Sequence, residues 1–159
     1  PPYVLVGHSL GGLYMQLFAR QHRAEVAALI LVDTTHPRQL EGAGAMENQS
    51  LLVRGMAKAL ITGTAKREFD LLTQTGQQVL ALPTVTGLPV TVLSAAAPMK
   101  ETSELAQFSN AMRQDIARLY PGAQQVWVEG GHAIPLEKPE AVVNAIRAAM
   151  AAMANQPVD

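Results

Sequence analysis

Cysteine is absent from the 159 residues, which excludes disulfides, thiolate metal ligands and a cysteine nucleophile. Charge of one sign is missing as well. With 12 Lys+Arg against 13 Asp+Glu, the chain lacks the broad basic surface that nucleic-acid or anionic-membrane binding requires. Long hydrophobic runs are missing too, and the apolar stretch at 26–32 is far too short to cross a bilayer as a helix. There are no internal repeats, low-complexity tracts or dividing linkers, and no His and carboxylate cluster at ligand spacing, so neither a metal nor an organic cofactor is expected. What remains, 48% apolar and 16% charged residues, reads as one globular domain over 1–159 with enough chain to bury a core. A targeting segment would lie upstream of Pro1, so this terminus carries no information on compartment.

Hydrophobic spacing orders the elements. Residues 3–6 (Tyr-Val-Leu-Val, closed by Gly7) and 26–32 (closed by Asp33) read as buried strands. Between them Leu10, Leu13, Tyr14, Leu17 and Phe18 recur at helical spacing, and Arg20, His22 and Arg23 suit the last turn of that helix. Residues 34–48 read as loop, 49–62 and 66–81 as helices, and 88–94 as a third strand. A helix is predicted at 103–119, a strand at 124–128, and a last helix at 138–153 with Pro139 in its first turn. Strands alternating with helices predict a parallel sheet covered on both faces, a three-layer α/β domain.

The chemistry is concentrated where the first strand ends. Gly7-His8-Ser9-Leu10-Gly11 fits G-x-S-x-G and lies between a strand and a helix, as a nucleophile elbow must. Gly7 and Gly11 are expected where a Cβ would collide with the adjoining strand or helix. The turn thrusts the Ser9 hydroxyl outward, and the Leu10 N–H at the helix start is a natural oxyanion donor. A glycine-rich helix entry with Ser9 as a mere N-cap is the plainer alternative.

These residues, together with Gly130-Gly131-His132 followed by Pro135, Glu137 and Pro139, resemble the α/β-hydrolase superfamily of the lipase and esterase type. The resemblance implies a truncated α/β-hydrolase fold of about four strands, the family's fifth to eighth. The loop that supplies a second oxyanion donor would then be missing. It also implies a small helical cap insertion at 34–87, in which Met56 and Leu60 are candidate substrate-binding residues beside His8. Ordinary packing is the alternative for all three. His132 follows the last predicted strand and comes late in the chain, as the order Ser, acid, His requires. His22 is read as a helix C-cap and His36 as a loop residue at the pocket or the surface. The family most often carries its acid after the seventh strand, but 95–99 is Ala-Ala-Ala-Pro-Met. Asp33, after the sixth, is the candidate. Glu101, Glu104 or an unaided Ser–His pair remain open.

The implied function is hydrolysis of carboxylic esters with short or medium acyl groups by Ser9, His132 and Asp33 through an acyl-enzyme, without cofactor. A catalytically idle fragment serving as a dimerisation or interaction module is the competing reading. The partner is a small-molecule ester. The sheet edge formed by the first strand is expected to be covered in a homodimer or higher oligomer.

Overall fold

The computed structural model describes residues 1–51, 54–55 and 62–154. A parallel sheet of four strands runs in sequence order: β1 Tyr3–His8, β2 Val26–Val32, β3 Val90–Ala95 and β4 Gln124–Val128. The helices are α1 Leu10–Gln21, α2 Gly63–Ala81, α3 Glu104–Asp115, a single-turn α4 Ile134–Glu137 and α5 Pro139–Ala154. The predicted three-layer α/β arrangement is therefore present. The helix expected at 103–119 tightens into a 3₁₀ turn at Ile116–Leu119, and α4 was not legible from periodicity.

β2 shows why the sheet sits in the middle. All seven of its residues are apolar, and their alternation feeds two cores. Leu29 and Leu31 face one side with Val92, Ile116 and Tyr120, beneath α1. Ile30 and Val32 face the other with Leu93, Ile134 and Ala145, beneath α5. Leu29, Ile30 and Leu31 are fully buried, each worth about 2 kcal/mol in removed apolar surface. A third cluster joins Leu13 of α1 to Leu72 and Val79, so the later half of α2, within the segment 34–87, lies against α1. β1 is an edge strand with Tyr3 and Val6 partly exposed, and α5 leaves Val143 and Met150 exposed. Among the described residues, no helix is long and apolar enough to cross a membrane.

Register places the site. His8 pairs with Val32, Val32 with Leu93, and Ala95 with Val128, so β1 and β2 end together and β3 and β4 end two residues further on, at the same edge of the sheet. Ser9 and Asp33 follow directly, and His132 lies four residues past β4. In parallel sheets this carboxyl end is where ligands bind.

Candidate active site

Ser9 has φ 53° and ψ −127°, a conformation that non-glycine residues hold only when their surroundings over-determine it. Here they do. The Ser9 N–H donates to the Val32 carbonyl at 3.1 Å, and the Ser9 carbonyl accepts from Gly12 N and Thr35 N, both at 3.0 Å. Gln16, fully buried on α1, donates to Thr34 Oγ1 and to the Thr35 carbonyl and accepts from Tyr120, which fixes the loop that does the pinning. A Cβ on Gly7 would stand 2.6 Å from Gly12 Cα, so the elbow needs that glycine as expected. Gly11 is a correction: a Cβ there meets nothing within 4 Å, and Gly12 is the second obligatory glycine because its Cβ would strike the Thr34 side chain.

Ser9 Oγ lies 3.0 Å from His132 Nε2, and His132 Nδ1 lies 2.6 Å from Asp33 Oδ2. An ionised carboxylate has no hydrogen to give, so Nδ1 carries the proton and Nε2 accepts from the serine. The structure thus brings together Ser9, His132 and Asp33 in one relay. Asp33 itself sits at φ 34° with its side chain 1% exposed, and Oδ1 accepts from Ala95 N at 3.0 Å. Burial pushes its carboxyl pKa up. The bonds from His132, Ala95 and Arg113, with the Arg113 charge, outweigh that push and leave it below the ordinary Asp value.

Glu101 lines a cavity of about 510 Å³ with Pro98, Leu105, Arg113 and His132, while the His132 Nδ1 bond goes to Asp33. The Leu10 N–H is the first amide of α1, with no carbonyl of the helix one turn before it to bond. Among the described residues no group of three His or acidic side chains suits a metal.

The other named residues fall as follows. His8 Nε2 donates to the His132 carbonyl at 2.8 Å, and the two rings lie 4.7 Å apart. That nitrogen holds the histidine loop, the packing and hydrogen-bonding role weighed for His8 beside substrate contact. Met56 and Leu60 lie outside the described residues, as does most of the helix expected at 49–62. His22 is the C-cap residue of α1, with Nδ1 3.1 Å from Glu25. His36 is a correction to the surface reading. It is 1% exposed, accepts the Arg38 N–H at Nδ1 and bonds Asp115 through Nε2 at 3.3 Å. Sequence reasoning missed Arg113, whose Nε and Nη2 both reach the Asp33 carboxylate.

No family model matches the chain. An uncharacterised protein of Schizosaccharomyces pombe is 40% identical over 60 residues, which are 37% of this chain and 11% of that protein. Solved structures align over nearly all of the chain. Human thioesterase 2 matches with TM-score 0.60 and 14% identity over 99% of this chain and 76% of its own. The type II thioesterase BorB from the borrelidin biosynthetic cluster matches with TM-score 0.56 and 18% identity, over 93% and 62%. A probable hydrolytic enzyme from Pseudomonas aeruginosa matches with TM-score 0.52 and 17% identity, over 91% and 62%. The chain thus spans 62–76% of the length of these proteins. Sheet order, elbow and neighbours agree: this chain has the α/β-hydrolase fold.

Proposed function

We propose that the chain carries a serine hydrolase centre that cleaves carboxylic esters of short or medium acyl groups. One observation carries the reading: the unbroken relay from Ser9 Oγ to His132 Nε2 at 3.0 Å and from Nδ1 to Asp33 at 2.6 Å. In this mechanism Ser9 Oγ attacks the ester carbonyl as His132 Nε2 takes its proton. Asp33 holds the tautomer and stabilises the imidazolium that forms. The Leu10 N–H, at the positive end of α1, donates to the oxyanion. The imidazolium then protonates the departing alkoxide, leaving an acyl-Ser9 ester. Water activated by the same nitrogen releases the acid and restores the serine. Each oxyanion donor of this kind is worth about 10² to 10³ in turnover, so the Leu10 N–H is a substantial part of the proposed centre. The same parts cleave thioesters, and two of the solved proteins of this fold are thioesterases by name, so thioesters belong in any substrate panel beside oxygen esters.

The test is intact-mass analysis after incubation with a fluorophosphonate. One adduct on the native chain, absent from Ser9→Ala and His132→Ala, is the expected result. A demonstrably folded chain that takes no adduct would overturn the reading in favour of an idle interaction module.

A further inference from the structure

The Asp33 carboxylate faces more than its histidine. Oδ1 accepts Arg113 Nε at 3.0 Å alongside Ala95 N, and Oδ2 accepts Arg113 Nη2 at 3.4 Å alongside His132 Nδ1 at 2.6 Å. The guanidinium therefore grips the carboxylate edge-on with two donors, a geometry that fixes the carboxylate plane as well as its position. Arg113 is itself held. Its Nη1 donates to Asn110 Oδ1 at 3.2 Å, Asn110 is buried and donates to the Pro98 carbonyl at 2.7 Å, and the Arg113 carbonyl accepts from Gln125. Its side chain is only 19% exposed, so water screens the pair weakly. A carboxylate 1% exposed, on a residue with φ 34°, needs such a partner: one bond to an open histidine and one to an amide leave half its acceptor sites empty.

We infer that Arg113 is a positioning residue for the proposed hydrolysis, holding Oδ2 of Asp33 on the His132 Nδ1–H and offsetting the carboxylate charge so that it does not over-stabilise the imidazolium. This rests on the Ser9–His132–Asp33 reading. The charged and titratable groups around His132 are His8 from β1, Asp33 after β2, Arg113 from α3, Glu101 across the cavity, Glu137 of α4, which accepts from Gly131 N, and Lys138 beside Gly130. Of these, the His8 ring lies against the imidazole at 4.7 Å and Asp33 hydrogen-bonds it at 2.6 Å, so the charge balance of Asp33 acts on the His132 ring through that bond.

The experiment measures kcat and KM for p-nitrophenyl acetate across pH in Arg113→Gln and Arg113→Lys, and follows the His132 ring by NMR in a Ser9→Ala background. Arg113→Gln should lower kcat about ten- to a hundredfold with KM nearly unchanged. The acid limb of its profile and the NMR titration of His132 should both move to higher pH by about one unit, because Asp33 is left as an uncompensated anion. Arg113→Lys keeps one cation but loses the fork, so the limb should return to its native position with kcat between the two. A folded Arg113→Gln with native limb and native titration overturns the inference, as does a loss of kcat that Arg113→Lys shares in full without any shift. Should Arg113→Gln fail to fold, Arg113→Lys decides alone: native kcat overturns the positioning role, and a partial loss of kcat at native KM and native unfolding midpoint supports it. Full activity in Ser9→Ala would instead sink the triad reading, while the His132 titration still reports what Arg113 does to the ring.

Discussion

Two His–Asp pairs involve the loop that follows β2, and they are built in opposite senses. In His132–Asp33 the carboxylate is sealed and the imidazole open, with side chains 1% and 52% exposed, and the bond is 2.6 Å. In His36–Asp115 the imidazole is sealed at 1% and the carboxylate open at 36%, and the bond is 3.3 Å. A base must reach its substrate while its orienting partner stays fixed, and only the first pair satisfies both. His36 spends its second nitrogen on the Arg38 N–H, so it has no lone pair left for a proton. Adjacency of histidine and aspartate is thus not enough to fit the proposed base; the sense of burial separates the two pairs.

Exchanging the carboxylates for amides would separate the pairs most sharply. Asp33→Asn should cut ester turnover by about 10³- to 10⁴-fold, because the amide favours the wrong tautomer of His132. Asp115→Asn should leave turnover within about twofold of native. Equal losses, read as initial rates on one ester, would dissolve the distinction.

The reverse asymmetry belongs to stability. His36→Ala removes a buried ring that ties the loop to the end of α3, and should cost about 2 kcal/mol in chemical unfolding with turnover of the folded enzyme preserved. An unchanged unfolding midpoint would show that the second pair holds nothing together.

A smaller effect follows from protonation. Burial, opposed by Asp115, lowers the His36 pKa below its ordinary 6.5, so the unfolded chain binds that proton more readily than the folded one. Stability is then greatest above about pH 6.5 and falls as pH drops below it. His36→Gln should flatten that slope in thermal melts between about pH 7 and 5. A slope identical to native would assign the acid sensitivity elsewhere.

Motifs with a fixed chain order were legible in advance. Ser9 is set by glycines, a strand and a helix that are neighbours in sequence, and His132 by its place after the last strand. Asp33 was only the candidate that the family resemblance implied, with Glu101 and Glu104 open, and its bond to His132 spans 99 residues of sequence. Arg113 was illegible because a polar residue on an amphipathic helix reads as a solvated face, and only the tertiary fold brings it to Asp33, 80 residues away. His36 was misread for the same reason, as a polar residue in a loop. Gly11 and Gly12 are indistinguishable by motif. Thr34, at the end of a different strand, decides which one must lack a Cβ.

By itself the sequence determined the alternation of strands and helices, the parallel sheet and the elbow. All of these come from periodicity and sterics acting over a few residues. The tertiary structure decided which carboxylate faces His132, which arginine faces that carboxylate, and which histidine is shut away from solvent. Those are contacts between side chains 79 to 99 residues apart, set by strand register and helix docking, and no local pattern encodes them.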